Sequence, residues 1–416
     1  MISFRLIKNR ILQFYNSRFL RKFYLFIGLI WAIPISIIIR IISPIIKIRI
    51  GRLLSPFIGH YAGDTEIYLS EKWAKINMTG IRHVDLWFHS NHVIANEQLE
   101  RMWRKQLIIL PRFILAPIHK LNSLLPGGEK YIAKSTFHDR DIKNVLDIHP
   151  PTLSFSEKEV KEGQEILLQM GVPTGKPYVC LLIRDQAYHK NMEYTNYRNA
   201  DIANFIPALE ELTKRGFYVI RMGKRVTNKL NFDNNKIIDY AASRYRTDFM
   251  DIYLGAYCKF VISTSSGWDM VASTLFRRPI LYTNMVPISQ IMTWTSRHTF
   301  MLKRHWSIQE KRYLTLTEIF DVIDKDHRSI NPKFTENGVS LIENSAEELK
   351  KAVLELVSEL DGSSSIQENK SVSSKQVRFW EIFNVNIIKH NLTAYHGKME
   401  AKISESFLDT APEFLN

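Results

Sequence analysis

The sequence is poor in thiols: its 416 residues include only two cysteines, Cys180 and Cys258. Two thiols are too few for a disulfide framework or a four-ligand zinc site. Both lie in apolar, strand-like runs, so we expect buried free thiols in a reducing compartment. Glycine (17) and proline (15) are not in excess, which excludes collagen-like and linker-type chains. With 45% hydrophobic and 24% charged residues, this is a folded globular chain long enough for two domains.

Acidic residues are absent from the start of the chain, where Asp64 is the first. The first 60 residues carry ten of the basic side chains behind the formal net charge of +14. They are Arg5, Lys8, Arg10, Arg18, Arg21, Lys22, Arg40, Lys47, Arg49 and Arg52. Because this charge is clustered around an apolar segment and no recognition module is evident, the sequence indicates contact with an anionic membrane and no nucleic acid.

The apolar segment itself covers residues 25–50. Its uncharged core, residues 25–39, is shorter than the ~20 residues that cross a bilayer. Pro34 interrupts the core, Arg40 ends it, and no small-residue cleavage site precedes Arg40. Basic residues flank both sides, which favours a monotopic or re-entrant segment with both ends cytoplasmic. A single span and a buried core helix are the alternatives.

Beyond residue 51 the apolar runs are short and alternate with amphipathic stretches. Strand-like runs at 84–88 and 107–110 alternate with helical patterns at 61–74 and after Pro111. Such βαβα alternation is typical of a parallel sheet covered on both faces. A Pro- and His-rich stretch at 147–156 interrupts the pattern, and a second series follows it.

The second series predicts strands at 178–184, 217–223, 236–239, 258–264 and 279–284, and helices at 157–170, 202–215, 248–256, 268–276 and 346–360. We therefore expect an α/β fold of two Rossmann-like doubly wound domains with an N-terminal membrane-associated helical segment. The predicted divisions are a basic hydrophobic membrane anchor at 1–50, an N-terminal domain at 51–156, a C-terminal domain at 157–360, and a polar linker with a helical tail at 361–416.

The strongest candidate site lies in residues 262–284, where an apolar strand ends in small hydroxyl residues and a glycine before a predicted helix. Ligands of open parallel sheets bind at the carboxyl ends of strands, near helix N-termini. Backbone N–H groups exposed there suit a phosphate. A helix cap with a tight turn is the alternative, although one serine satisfies a cap. The residues that we predict to bind phosphate are Ser263, Ser265, Ser266 and Gly267, and Thr264 lies between the first two.

Other strand ends of the same domain carry basic or polar residues. They are Arg184 and Asp185, then Arg221, Gly223 and Arg225, and finally Asn284. An arginine at a strand end donates two hydrogen bonds to one phosphate, while a surface salt bridge is the ordinary alternative. Because these ends meet at one edge of the sheet, together they favour a diphosphate site. Dinucleotide and P-loop chemistry is disfavoured, since neither glycine motif is present.

A Gly-flanked turn enters a predicted helix in the N-terminal domain, and it carries His60, Asp64 and Glu66. His60 and Asp64 are four residues apart and share one helix face. A histidine or carboxylate at a cleft edge accepts a proton from an attacking hydroxyl. Charges that face the helix dipole are the alternative for both carboxylates. The histidines at 83, 89 and 92 match no metal-ligand spacing, so we predict no metal site.

Several segments resemble GT-B glycosyltransferases of bacterial surface polysaccharide synthesis, and more narrowly a family of O-antigen or capsule glycosyltransferases. The resemblance covers residues 55–360 and is more specific in the second domain. Its segments are FIGHYAGDTEIYL, VCLLIRDQAYH, GFYVIRMGK, IIDYAASRYRTDFMDIYLGAYCKFVISTSSGWDMVA and RRPILYTNMVP.

The resemblance implies that each domain binds one of the two substrates. The second domain would hold a nucleotide-sugar donor, with Ser263, Ser265, Ser266 and Gly267 on its phosphates and Arg184 with Arg221 or Arg225 compensating their charge. The first would present a saccharide or polyprenyl-linked acceptor at the cytoplasmic face of the inner membrane. His60, Asp64 or Glu66 would be the base of an inverting transfer. Cofactors are not implied beyond the co-substrate, because basic side chains replace a metal in such enzymes.

Retaining relatives carry a pair of glutamates near the donor loop, whereas Asp269 stands alone here, so inversion or retention stays open. Two other functions also fit the sequence. A sugar-nucleotide epimerase of the same fold would convert a donor without an acceptor, but it needs no membrane segment. A non-catalytic scaffold of a polysaccharide assembly complex would bind no sugar nucleotide.

Overall fold

The computed structural model describes residues 18–76, 80–185, 193–224, 226, 230, 233–322, 334–362 and 373–416. The first domain is built on a parallel sheet of four strands in the order β3-β2-β1-β4. Its strands are β1 (Lys47–Leu53), β2 (His83–His89), β3 (Ile108–Ile109) and β4 (Ile132–Ala133). Its helices are α1 (Arg18–Ile42), α2 (Ile58–Trp73), α3 (Glu97–Arg104) and α4 (Arg112–Leu124). The predicted βαβα alternation is confirmed.

Side chains of this sheet alternate between two layers of helices. Ile50 and Phe88 pack with residues of α1 and α4 on one face. On the other face, Trp87 packs against Tyr68 of α2 at a ring distance of 4.8 Å. Gly51 lies under Trp87, where a Cβ would come within 2.3 Å of the indole ring. The sheet therefore separates the α1 and α4 layer from the α2 and α3 layer.

Helix α1 was predicted as part of a membrane anchor, and its inner face belongs to the core of the first domain. Ala32, Ser36 and Ile39 are buried, and a Cβ on Gly28 would lie 2.5 Å from Pro117 of α4. The predicted boundary at residue 50 falls inside β1. Within the described part of the chain, no helix combines the length and apolar character that crossing a membrane requires.

The second domain contains a parallel sheet of seven strands in the order β14-β10-β9-β8-β5-β6-β7. Its strands are β5 (Tyr178–Leu182), β6 (Tyr218–Arg221), β7 (Ile237–Ile238), β8 (Val261–Ser263), β9 (Ile280–Met285), β10 (His298–Leu302) and β14 (Lys402–Ile403). Its helices are α5 (Glu157–Gln169), α6 (Ile206–Lys214), α7 (Asp248–Tyr257), α8 (Leu316–Val322), α9 (Ala346–Leu360), α10 (Ser374–Lys389) and α11 (Glu405–Asp409).

Three features of this domain differ from the prediction. An antiparallel sheet of β11 (Arg304–Ser307), β12 (Arg312–Tyr313) and β13 (Val339–Ile342) was not predicted. The helix expected at 268–276 is a π-helix of six residues, Met270–Leu275. The tail is only partly helical, since β14 pairs with β10 at the edge of the main sheet. Most of the polar linker, residues 363–372, lies outside the described residues. Cys180 and Cys258 are buried free thiols, as predicted.

The two domains are in direct contact along α2. A Cβ on Gly63 would lie 2.4 Å from the methyl group of Met270, so α2 packs closely on the π-helix. The Arg277 guanidinium donates to the Glu66 carboxylate at 2.7 Å across the interface. Because the Glu66 side chain is fully buried, this ion pair fixes the position of α2 on the second domain.

Candidate functional site

Two groups of loops meet where the strand order of each sheet reverses. In the first sheet the reversal lies between β1 and β4, and the chain after these strands supplies the start of α2 and residues 134–140. In the second sheet it lies between β5 and β8, where Ser263 ends β8. Crevices at such reversals are the usual ligand sites of open α/β sheets.

Backbone contact joins these two places. A Cβ built on Gly59 at the start of α2 would lie 2.9 Å from both the Cα and the carbonyl oxygen of Gly267. Only glycine at position 59 allows this approach, because real Cβ atoms do not come so close to backbone atoms. The first turn of α2, which carries His60, therefore lies against the loop of residues 263–267.

A cluster of two histidines and two aspartates lies at the start of α2. The imidazole Nδ1 of His60 is 2.7 Å from Asp139 Oδ1 and 3.4 Å from Asp64 Oδ2, without well-directed hydrogen bonds. The ring of His138 bonds to Asp64 Oδ2 at 2.8 Å, and the backbone N–H of Asp139 donates to Asp64 Oδ1 at 2.7 Å. The structure thus brings together the predicted His60 and Asp64 and adds His138 and Asp139.

These contacts separate the pKa values of the two carboxyl groups. Burial alone would raise the pKa of Asp64. The hydrogen bond from His138, the nearby His60 imidazole and the hydrogen bond from the Asp139 backbone together lower it to about 2. Burial raises the pKa of Asp139, and the nearby Asp64 charge adds to this increase. Burial opposes the charged form of His60, yet Asp139 and Asp64 outweigh it and raise the pKa of His60 to about 10. At neutral pH His60 is therefore a cation that pairs with Asp139 and Asp64.

The same cluster has the donor set of a cation site. One ligand atom each from His60, Asp64 and Asp139 lies within 4.8 Å of the others, and all three residues are half-buried. Imidazole nitrogen and carboxylate oxygen suit ions such as zinc or manganese. These groups already form ion pairs with one another. That the site holds no metal stays a prediction.

The predicted phosphate loop is held by its own side chains. The Ser265 N–H donates to Ser263 Oγ at 3.1 Å, and Ser265 has a left-handed φ of 65°. The Ser266 N–H donates to Asp269 Oδ2 at 2.6 Å, and Ser263 Oγ donates to the same oxygen at 2.9 Å. Two N–H groups expected to face a phosphate are therefore engaged within the loop. Gly267 is the exposed residue of this loop.

Asp269 is the internal anchor of the loop. Its side chain is fully buried, and burial raises its pKa to about 7 despite hydrogen bonds from Ser266 and Ser263. Its Oδ1 atom is buried without a hydrogen-bond partner among the described residues. The loop geometry therefore depends on a carboxyl group that titrates near neutral pH.

Arg198 brings positive charge to this loop, and the sequence analysis did not single it out. Its Nη2 donates to the carbonyl oxygen of Ser265 at 2.9 Å and to the Ser265 hydroxyl at 3.1 Å. A lone arginine in a polar stretch, YTNYRNAD, carries no motif that marks it. Its place beside the loop follows only from the tertiary structure.

Arg184 and Arg221 lie at the carboxyl ends of β5 and β6. The Arg184 N–H donates to Thr264 Oγ1 at 2.8 Å, which ties the end of β5 to the loop after β8. Arg221 is buried, 3.5 Å from Asp239 and 4.0 Å from Asp185. The Asp239 and Asp185 carboxylates would compete with a phosphate for the Arg221 guanidinium. Gly223 follows β6 closely, whereas Arg225 lies outside the described residues.

Two predicted site residues, Glu66 and Asn284, are buried and hydrogen-bonded to other parts of the fold. The Glu66 carboxylate accepts from Arg277 and from the backbone N–H of Thr152, and no part of its side chain is exposed. Asn284 forms a reciprocal pair with Asn344, in which each backbone N–H donates to the other side-chain oxygen at 2.7–2.8 Å. Both residues therefore hold elements together in this structure.

Similarity to known proteins is limited to solved structures. The sequence matches no protein-family model and no curated protein. The ADP-heptose lipopolysaccharide heptosyltransferase II of E. coli is 14% identical with a TM-score of 0.38, over 62% of this chain and 90% of that one. A glycosyl transferase family 9 protein from Veillonella parvula DSM 2008 is 11% identical with a TM-score of 0.34, over 56% and 79%. E. coli heptosyltransferase WaaC with ADP is 10% identical with a TM-score of 0.28, over 62% and 91%. At these scores the similarities carry no conclusion about activity.

Proposed function

We propose that this protein is a glycosyltransferase that moves a sugar from a nucleotide-sugar donor to a saccharide acceptor. The acceptors that we propose are polyprenyl-linked saccharides of bacterial surface polysaccharide synthesis, such as O-antigen or capsule. The observation that carries the proposal is the contact between Gly59 and Gly267. It brings an acid–base cluster of the first domain beside a small-residue loop of the second, as a two-substrate transfer requires.

On the donor side, Arg198 and Ser265 are the groups that we assign to the diphosphate. An arginine compensates phosphate charge with directed hydrogen bonds, and it stabilises the leaving nucleoside diphosphate as negative charge develops. The exposed Gly267 lets a ligand approach the backbone closely. Because Asp269 already holds Ser266, the arginine contributes more here than the loop N–H groups do.

On the acceptor side, Asp139 is the better placed base. Its side chain is 41% exposed, compared with 14% for Asp64, and burial raises its pKa. In an inverting transfer the acceptor oxygen bonds to the anomeric carbon as the bond to the donor phosphate breaks. The leaving diphosphate takes that electron pair, and Asp139 takes the acceptor proton. Asp64 positions Asp139 through its backbone N–H.

Donor binding is tested by thermal shift of the full-length protein with a panel of UDP-, GDP-, CMP-, dTDP- and ADP-sugars. A ligand at about 100 times its dissociation constant stabilises by about 2.7 kcal/mol, which is a clear shift. We expect one nucleotide class to stabilise the protein and Arg198→Ala to abolish that shift. Arg215→Ala, on a remote exposed ion pair with Glu211, is the matched control. A folded protein that no nucleotide stabilises would favour a scaffold.

A further inference from the structure

Helix α1 has two apolar faces, and the described protein covers only one of them. Its inner face packs on α4, whereas its outer face consists of isoleucines open to solvent, with Ile30 75% and Ile41 71% exposed. The exposed isoleucines of the helix are Ile27, Ile30, Ile33, Ile37, Ile38 and Ile41. Scattered apolar side chains on a surface are ordinary, but a continuous stripe of them marks an interaction site.

Helix α4 extends this stripe. Trp31 Nε1 donates to the carbonyl oxygen of Ile114 at 3.3 Å, so the two helices lie side by side. On α4, Phe113 and Leu124 are 56% and 69% exposed. They are eleven residues apart, about three helical turns, and therefore lie on nearly the same side of α4. We call the six isoleucines together with Phe113 and Leu124 the α1–α4 outer face.

Charge indicates what covers this face. Neither helix contains an acidic residue, and the 17 residues that precede α1 contain none. The basic residues of the two helices are Arg18, Arg21, Lys22, Arg40, Arg112 and Lys120. A second copy of the chain would present the same positive charge and be repelled. Anionic lipid headgroups instead attract the positive charge of the two helices, while the apolar side chains enter the boundary between headgroups and acyl chains.

We propose that the α1–α4 outer face docks on an anionic lipid bilayer and lies parallel to its surface. Because the inner side of α1 belongs to the domain core, docking fixes the orientation of the whole first domain. The first sheet lies between this face and α2, the helix that contacts the second domain. Docking deepens the proposed function by supplying the membrane location of a lipid-linked acceptor, and that role rests on the proposed function. The lipid contact itself is independent of it.

Flotation of the full-length protein with vesicles tests the proposal. We expect binding to phosphatidylethanolamine vesicles that contain phosphatidylglycerol, and much weaker binding to pure phosphatidylcholine. The triple variant Ile30→Ser/Ile37→Ser/Ile41→Ser should lower the partition coefficient at least about tenfold, because three side chains no longer leave water. It should keep its thermal stability, since these side chains are solvent-exposed in the folded protein.

The matched control is Ile148→Ser/Ile308→Ser/Ile388→Ser, which removes three equally exposed isoleucines elsewhere. It should bind vesicles as the wild type does. Equal binding by both triple variants, or no vesicle binding by the wild type, would overturn the proposal. So would a wild-type dimer that the Ile30 triple variant dissociates, because the face would then be a self-interface. Should that variant unfold, Phe113→Ser/Leu124→Ser carries the same test. Donor binding measured without vesicles should survive in every variant, which separates this test from that of the proposed function.

Discussion

Gly59 and Gly267 are in backbone contact across the domain interface, and neither position has room for a larger residue without movement. The two sites are not equally tight. A Cβ on Gly59 would meet Gly267 at 2.9 Å, whereas a Cβ on Gly267 would meet the Gly59 nitrogen at 3.3 Å. The first is a steric clash, while the second requires only a small adjustment.

This asymmetry predicts graded effects of alanine. We expect Gly59→Ala to lower the free energy of unfolding by roughly 1–3 kcal/mol, as overpacking does, and Gly267→Ala to cost less. Gly59→Ala should also weaken donor binding, because the clash separates α2 from the loop. Thermal unfolding with and without donor measures both effects. A larger loss of stability in Gly267→Ala would contradict the geometry.

The Asp139 and Asp64 carboxyl groups should differ in their kinetic roles. We expect Asp139→Asn to reduce kcat by about 100-fold or more while donor affinity is retained, as for loss of a general base. Asp64→Asn should reduce kcat as well, and it should also lower stability, because Asp64 accepts bonds from His138 and the Asp139 N–H. Steady-state kinetics with separate donor titrations distinguishes these roles. Full turnover in Asp139→Asn would remove it as the base.

Glu66 should contribute to stability and not to proton transfer. Its carboxylate is fully buried against Arg277, so Arg277→Ala leaves an unpaired buried charge and should cost roughly 3–5 kcal/mol. Glu66→Gln removes the charge and should cost less, with turnover per folded molecule unchanged. Chemical denaturation and active-fraction assays are the measurements. A loss of turnover in folded Glu66→Gln would return Glu66 to the list of bases.

Stability should depend on pH through Asp269. Burial raises its pKa from the usual value near 4 to about 7, so the folded state binds a proton that the unfolded state has released between these values. Stability should therefore fall as pH rises from about 4 to 7, by at most about 1.4 kcal/mol per pH unit from this group. Asp269→Asn should flatten this slope, and melting curves between pH 5 and 8 measure it. An unchanged slope would contradict the assignment.

Metal removal tests the alternative use of the His60, Asp64 and Asp139 cluster. We expect dialysis against EDTA to leave the melting temperature and donor binding unchanged, since the proposed donor site takes its positive charge from Arg198. Elemental analysis of the untreated protein is the direct measurement. A stoichiometric metal that is lost in His60→Ala would instead show that the cluster holds a cation.

The sequence predicts best those elements whose signals, hydrophobic periodicity and helix caps, lie within the element itself. The helix predicted at 346–360 is α9 with identical ends, because Ser345 and Glu348 form a capping box that is visible in the sequence. Strands of two residues, such as β4 and β14, lack any such pattern and exist because a longer neighbour pairs with them. The same contrast applies to the acid–base cluster. His60 and Asp64 could be predicted together because they lie on one helix, whereas Asp139 comes to them only because β4 pairs with β1.

Local sequence does not show how the loop after β8 is held in place. Its hydroxyl residues indicate a phosphate cradle, but the buried Asp269 that follows accepts two of their hydrogen bonds. The guanidinium group beside this loop belongs to Arg198, which lies 67 residues before Ser265 in the sequence. The isoleucines of α1 were read as one apolar segment, while the fold divides them into a core face and an exposed face.

The most direct test of the central claim is a transfer assay with the donor class that the thermal-shift panel selects. Wild-type protein, donor and a polyprenyl-linked saccharide extract are incubated, and both nucleoside diphosphate and the extended saccharide are measured. We predict equal amounts of both products, with the formation of both strongly reduced when Asp139→Asn or Arg198→Ala replaces the wild type. Conversion of the donor without an acceptor, or binding without any turnover, would contradict the account.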